Sequence, residues 1–195
     1  MSDKPSYLGL LNALSLAESA AHDYLECWIA TTPRDDVRGI LQAVSVREGE
    51  HGKAFAKRIN ELGYTLKTKD DPNAGKTMEL AARRDLTDLE KFEAFKLGRP
   101  EPEGPDVFAR FFEDPTIDIR TGELLGRYIC EERDSGRLLR SCYEQLKAEA
   151  SGGTTSAGSD DRLCALEAKV DQLCAAVDAL VASSNGKAAK EKVSA

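Results

Sequence analysis

The segment from Leu41 to Leu62 carries the most restrictive pattern in this chain of 195 residues, because two polar side chains lie on an apolar helical stripe. The apolar residues recur at steps of three and four, as on one face of an α-helix. They are Leu41, Val44, Phe55, Ile59 and Leu62. Glu48 and His51 fall on the same face. Burial of an unpaired carboxylate is costly, so this placement predicts a counter-charge, a hydrogen-bond network or a metal ion beside Glu48.

Three further segments have the same arrangement, an apolar stripe with an acid near its middle. We predict long helices over residues 7–29, 35–63, 78–97 and 117–148, a loop over 65–76 and a short extra helix over 106–113. The mid-stripe acids are Glu18, Glu48, Glu90 and Glu132. When the stripes are laid over one another, these acids lie at matched depths. The pattern therefore predicts two helical hairpins that present four carboxylates to a common interior.

This arrangement resembles the ferritin-like superfamily, in particular the rubrerythrins and bacterioferritins. In that family four antiparallel helices supply Glu, Glu-x-x-His, Glu and Glu-x-x-His to two metal ions. The matching residues here are Glu18, Glu48 with His51, Glu90 or Glu93, and Glu132. The resemblance covers residues 7–148 and implies an all-α fold, a ferritin-like antiparallel four-helix bundle. It also implies a dinuclear site for iron, with manganese as the alternative metal.

One position departs from the family pattern. Ser135 stands three residues after Glu132, where the family has histidine. Glu93 on the third helix, or Glu131 with Asp134 on the fourth, are candidate replacement ligands. The second metal position is therefore predicted to be carboxylate-rich, weak or lost, and a single ion is the alternative to a pair.

The same residues have simpler interpretations as parts of a structural core. Glu48 has Arg133 and Arg137 as candidate ion-pair partners, and an acid at the edge of a stripe can keep its carboxylate in water. His51 is also interpretable as a core histidine hydrogen-bonded to a glutamate. Four acids at equivalent depth favour the metal site over four separate explanations of this kind.

Composition and cysteine usage exclude several classes of protein. The net charge of −7 argues against general nucleic-acid binding, which needs a basic face. The sequence contains neither a predicted membrane span nor a recognisable secretion signal, so we expect a cytoplasmic protein without a membrane partner. Its five cysteines are odd in number and include no Cys-x-x-Cys pair, so they predict reduced thiols rather than disulfides or a zinc site.

The C-terminal part of the sequence differs in character from the rest. We predict a bundle domain over residues 1–149, a flexible linker rich in Ser and Gly over 150–160, a coiled-coil helix over 161–184 and a disordered tail over 185–195. The coiled-coil seam steps by three and four through Leu163, Leu166, Val170, Leu173, Val177 and Leu180. This pattern is typical of a parallel dimer, so we expect a homo-oligomer, with docking on the bundle or on a partner protein as alternatives.

Two classes of function fit these observations. The first is a non-haem dimetal oxidoreductase that oxidises ferrous iron or reduces O2 or peroxide, with metal ligands Glu18, Glu48, His51, Glu90, Glu93 and Glu132. The second is a non-enzymatic bundle that retains a degenerate ferritin-like core and uses its C-terminal coil to assemble or to recruit a partner. Ser135 and the C-terminal extension favour the second class, and the matched acids favour the first.

Overall fold

The computed structural model describes residues 4–68, 71–99 and 107–152. These residues form five α-helices and one 3-10 helix with no strand among them, which confirms the all-α prediction. The helices are α1 (Leu8–Ile29), α2 (Asp35–Glu61), α3 (Ala74–Ala82), α4 (Asp88–Phe95), the 3-10 helix (Val107–Phe112) and α5 (Ile119–Ala150). Of the helices in this described part, none has both the length and the hydropathy needed to cross a bilayer. From residue 153 onward, the predicted linker, coiled coil and tail lie outside the described residues.

The three long helices, α1, α2 and α5, begin and end within two residues of the predicted positions. Two acids, Asp35 and Asp36, occupy the first turn of α2, where they oppose the positive end of the helix dipole. The other end of α2 is closed by Gly63, whose φ of +82° is a left-handed conformation that glycine adopts without steric cost. These local signals explain why the boundaries could be predicted.

Two apolar clusters lie at opposite ends of the long helices. One contains Leu25 and Trp28 of α1, with residues of the first half of α2 and the second half of α5. The other contains Leu11 of α1, with Phe55 of α2 and Leu125 of α5. α1 therefore runs antiparallel to α2 and in the same direction as α5. The mid-stripe acids of these helices lie between the two clusters.

Small residues bring α1 and α2 close together beside Glu48 and His51. A Cβ atom placed on Gly52 would lie 2.5 Å from the Ser19 hydroxyl oxygen and 3.1 Å from the Ser19 nitrogen. The Ser15 hydroxyl donates a hydrogen bond of 2.8 Å to the Gly52 carbonyl across this contact. The close approach fixes the depth at which α2 presents its acid and its histidine to α1.

The prediction of one continuous third helix over residues 78–97 is wrong, because the chain forms α3 and α4 with a break between them. The predicted loop over 65–76 also ends early, since α3 begins at Ala74. The break is held by buried polar contacts. Asp88 accepts hydrogen bonds of 2.7 Å from Trp28 and from Thr32, and the Lys91 ammonium donates to the Ala81 carbonyl at 2.8 Å. These contacts join the start of α4 to the end of α1 and to α3.

The expected interior position of Glu90 is also wrong. Thr87 caps α4, and its side chain accepts from the Glu90 amide while the Glu90 carboxylate accepts from the Thr87 amide at 2.7 Å. This is a capping box, in which the N3 glutamate satisfies a backbone donor at the helix start. Glu90 and Glu93 are both exposed. The carboxylate of Glu90 is therefore committed to the start of α4, away from the interior.

The segment that follows α4 packs directly on α5. Lys96 ends α4 in a left-handed conformation, and Gly98 has a φ of +67°. A Cβ atom on Gly98 would lie 2.6 Å from the Tyr143 Cβ and 2.8 Å from the Leu139 carbonyl oxygen. Only glycine fits both this backbone conformation and this contact.

We expect Gly98→Ala to lower the free energy of unfolding by about 2–4 kcal/mol, through the left-handed strain and the overlap with α5. Gly126→Ala is the matched control, because a Cβ there meets nothing within 4 Å. Gly126 lies inside α5, where alanine should stabilise the helix by up to about 1 kcal/mol. Urea denaturation of both variants measures the difference, and equal effects of the two substitutions would contradict the close packing of Gly98.

The start of α5 is anchored by Asp118. Its carboxylate accepts from the Thr121 amide at 3.1 Å, from the Arg58 guanidinium at 2.8 Å and from the Tyr7 hydroxyl at 2.7 Å. Burial would raise the pKa of Asp118, but the bonds from Thr121, Tyr7 and Arg58 outweigh it and hold this pKa well below its usual range. The contacts join α1, α2 and α5 at one end and so fix the register of α5 against the other two helices.

Candidate metal centre

Four of the six predicted ligands converge in the interior. Glu18 of α1, Glu48 and His51 of α2, and Glu132 of α5 each offer a ligand atom, and these atoms all lie within 4.8 Å of one another. The first three residues are buried, with exposed fractions of 6%, 7% and 4%, and Glu132 is half-buried. Since i and i+3 share a helix face, Glu48 and His51 reach the same point from α2.

Three buried atoms in this group have no hydrogen-bond partner. They are Oε2 of Glu18, Nδ1 of His51 and Oε1 of Glu132. His51 Nδ1 lies 3.4 Å from that oxygen of Glu132 and 3.9 Å from that oxygen of Glu18, so the three atoms face one another. Buried polar atoms in folded proteins almost always have a partner. Three that lack one at the same place indicate a position that suits a cation, which is either the proton that makes His51 an imidazolium or a bound metal ion.

Neighbouring side chains hold the ligand atoms in this orientation. Glu131 accepts from His51 Nε2 at 2.7 Å and is itself held by Arg127 at 2.9 Å. An ionised carboxylate can only accept, so in the neutral imidazole the proton lies on Nε2, and Nδ1, which is directed at the other carboxylates, is the nitrogen left to bind a metal. The Tyr128 hydroxyl donates to Glu18 Oε1 at 2.8 Å, which leaves Oε2 of Glu18 for the site. Such partners are typical of metal-bound histidines and carboxylates.

The protein compensates for the clustered negative charge with protons. Burial, with the neighbouring carboxylates of Glu18 and Glu132, raises the pKa of Glu48. Burial would also raise the pKa of Glu18, but the neighbouring His51 and Glu48 and the hydrogen bond from Tyr128 outweigh it and lower this pKa. In His51, burial opposes the charge, yet the carboxylates of Glu132, Glu18 and Glu131 raise the pKa to about 10. At neutral pH these shifts favour a protonated Glu48 carboxyl and a positively charged His51 imidazolium. A bound metal ion would displace both protons.

The donor set fits a divalent transition metal. Donor atoms about 2.0–2.3 Å from one ion lie roughly 3–4 Å apart in tetrahedral or octahedral coordination. The 3.4 Å and 3.9 Å separations of the three partnerless atoms lie in that range. Three carboxylates with one imidazole suit iron(II) or manganese(II), and the carboxylates would offset the positive charge.

The other predicted ligands do not reach this group. Glu90 and Glu93 lie on the exposed side of α4. Ser135, at the position where the family has histidine, is buried and accepts from Arg47 at 3.3 Å. Asp134 pairs with Arg47 at 2.7 Å, so the alternative pair of Glu131 with Asp134 is not a second ligand set.

The remaining histidine has a structural environment of its own. His22 Nδ1 contacts the carbonyl and the hydroxyl oxygen of Ser45, both at 2.9 Å. The suggested ion-pair partners of Glu48 are also engaged elsewhere. Arg137 binds Asp134 at 2.8 Å, and the Arg133 guanidinium lies 5.9 Å from the centre of the Phe108 ring.

The sequence analysis named Glu131 as a candidate replacement ligand and missed its role as the carboxylate that orients His51. Its adjacency to Glu132 does not say which way its side chain points. Tyr128 lies one turn before Glu132, on the same face of α5. Its hydroxyl donates to Glu18.

Comparisons of this chain with protein-family models, with curated proteins and with solved structures gave no match. Function is therefore inferred from the side chains of the site and their surroundings.

Proposed function

We propose that this protein binds one divalent iron or manganese ion through Glu18, Glu48, His51 and Glu132 and is a non-haem oxidoreductase acting on O2 or peroxide. The observation that carries the proposal is the set of three buried atoms, from three helices, that face one another without a hydrogen-bond partner. An ion held there would supply a redox-active Lewis acid. The chain's own residues would fix its ligands and limit access of water.

We further propose that the helices form a ferritin-like bundle. α1, α2 and α5 would correspond to the first, second and fourth helices of that family, each with its acid near the middle of the helix. α3 and α4 together would occupy the third place. This proposal is supported by the opposite directions of α1 and α2 and by the position of the acids between the two apolar clusters.

One ion is favoured over two by the chemistry around Ser135. A dinuclear site of this kind needs a carboxylate from the third helix and a histidine from the fourth. In the described part of the chain, Glu90 is used in a helix cap, Glu93 is exposed, and Ser135 supplies no imidazole. The donors that remain are those of a single position.

The surrounding residues have distinct parts in such a centre. Glu131 would keep the proton of His51 on Nε2, so that Nδ1 is the ligand atom. Burial and the charges of Glu18 and Glu132 raise the pKa of Tyr128, so its hydroxyl stays protonated and donates to Glu18. Phe55 packs edge-on against Tyr128, which keeps that hydroxyl in place.

Metal analysis tests the proposal directly. Protein stripped with a chelator, loaded anaerobically with Fe²⁺ or Mn²⁺ and desalted should retain about one ion per chain by elemental analysis. The electron paramagnetic resonance of Mn²⁺ should report a single bound environment, and at least one of the two loaded forms should consume O2 or peroxide faster than the stripped protein does. Retention of two ions would contradict the single site, and retention of none would favour the non-enzymatic bundle.

A further inference from the structure

A cavity of about 390 Å³ adjoins the carboxylate group, and its two ends differ in charge. Its inner end is formed by Glu18, Glu48 and Glu132. Three cationic residues, Lys96, Arg99 and Arg140, line it elsewhere. A cavity of this volume accommodates a small organic molecule.

The two ends of the cavity lie at different levels along α5. Arg140 follows Glu132 by eight positions on α5, which at the helical rise is about 12 Å along the axis. Lys96 and Arg99 flank Gly98, whose backbone lies against Leu139. The backbone of Arg140 and of the segment around Gly98 therefore lies near one level of α5, about 12 Å along the axis from Glu132. Lys96 and Arg99 are exposed, so this end of the cavity is at the surface.

The wall between the two ends is mostly apolar. Ala21 and Leu25 of α1, Val44 of α2 and Leu139 of α5 line it, together with Tyr24. The ring of Tyr24 stacks on Phe95 with centroids 4.8 Å apart, which joins this wall to α4. Burial, with the charges of Glu48, Glu18 and Glu132, raises the pKa of Tyr24 to about 12, so its hydroxyl is neutral.

We propose that this cavity binds a small organic carboxylic acid. The carboxylate would pair with Lys96, Arg99 and Arg140 at the surface end, and an apolar body on the order of 10 Å long would lie along the wall. The body would end at the proposed metal centre. Only this last feature rests on the proposed function, because the cations and the apolar wall are independent of the ion.

Charge and shape together select this class of ligand. A cationic ligand is disfavoured at the surface end, and a small inorganic anion would leave the apolar wall in contact with water. A dianionic acid would bring a second carboxylate to the three that already form the inner end. A monocarboxylate with an aliphatic or aromatic body satisfies both ends.

Octanoate is the probe for this proposal, with octylamine and inorganic phosphate as comparison ligands. Calorimetric titration of full-length, Mn²⁺-loaded protein should detect octanoate binding, with octylamine and phosphate at least about tenfold weaker. Arg99→Gln and Arg140→Gln should each weaken octanoate binding about tenfold, the effect of losing one charge-assisted hydrogen bond. Arg137→Gln is the matched control on α5, because Arg137 is exposed and pairs with Asp134 outside the cavity.

The proposal is overturned if octanoate does not bind, if octylamine or phosphate binds as tightly, or if Arg99→Gln and Arg140→Gln have no effect. Arg99 is exposed, so its substitution tests the cavity without risk to the fold. Metal content is measured in the same samples. Bound Mn²⁺ without octanoate binding would overturn the cavity ligand alone, and octanoate binding without bound Mn²⁺ would overturn the proposed function alone.

Discussion

Replacement of His51 by glutamine is expected to lower the affinity for Mn²⁺ by at least about a hundredfold, a loss larger than that typical of changes to residues around a metal ligand. Nδ1 of His51 is one of the three partnerless atoms and the only nitrogen donor in the group. Glutamine is of similar size but offers no imidazole. Competition with a coloured chelator measures the change in affinity.

His22→Gln is the matched control, because the chain has only two histidines and His22 contacts Ser45 instead of the carboxylates. Its affinity for Mn²⁺ should equal that of the unmodified protein. Glu131→Gln should fall between the two, with a loss of about 10–100-fold, because Glu131 orients His51 without offering a ligand atom. Affinities for Mn²⁺ that fall in the order His22→Gln, Glu131→Gln, His51→Gln would support His51 as the ligand and Glu131 as the residue that orients it.

Thermal unfolding gives a second measurement of the same effect. A free Mn²⁺ concentration a hundred times the dissociation constant adds about 2.7 kcal/mol to the stability, or about 5–10 °C in the midpoint for a chain of this size. The unmodified protein and His22→Gln should gain this increment at the same Mn²⁺ concentration, and His51→Gln should gain almost none. An equal gain in all three would remove His51 from the ligand set. If His51→Gln failed to fold, Glu131→Gln, at a half-buried position, would still test whether His51 is a metal ligand.

The long helices and the meeting of their acids could be predicted because each depends on local information. Stripe periodicity gives the inward face of a helix, and an acid on that face near its middle lies inside once the helices pack. Glu18, Glu48 and Glu132 satisfy both conditions. The short connection between α1 and α2 makes them antiparallel neighbours, which sets their acids at equal depth.

The break between α3 and α4 was missed although part of its signal is in the sequence. Thr87 and Glu90 form the Thr-x-x-Glu pattern of a capping box, which marks a helix start. The apolar stripe on either side masked this signal. The rest of the information that places the break is not local in sequence. Asp88 accepts hydrogen bonds from Trp28 and Thr32, residues that lie 56 or more positions away in the chain. The same break explains why Glu90 does not reach the group of Glu18, Glu48, His51 and Glu132.

Affinity for Mn²⁺ is expected to rise steeply with pH, by about ten- to a hundredfold per unit between pH 6 and 8. The pKa of His51 is raised to about 10, and the pKa of Glu48 is raised as well, so both carry a proton in the metal-free protein at neutral pH. Each must lose it to bind a cation. Release of up to two protons per ion gives a slope of up to two in the logarithm of the affinity against pH.

The same shifts fix the sign of the stability change in the metal-free protein. A group whose folded pKa is raised above its unfolded value stabilises the fold fully below the unfolded pKa, and this contribution is lost as pH rises through the folded pKa. Glu48 and His51 both belong to this class. The unfolding midpoint of the metal-free protein should therefore fall as pH rises from 6 to 9, while the Mn²⁺-loaded protein should be less affected.

Glu48→Gln separates the two protons. Glutamine resembles the protonated acid and cannot release a proton, so the variant should bind Mn²⁺ more weakly and its slope should be lower by about one. Calorimetry in two buffers of different ionisation enthalpy counts the protons released per ion. A count near zero above pH 6 would mean that His51 and Glu48 are already deprotonated without metal, and the carboxylates would then need another source of positive charge. A count near two would mean that protons occupy the place of the cation when no metal is bound.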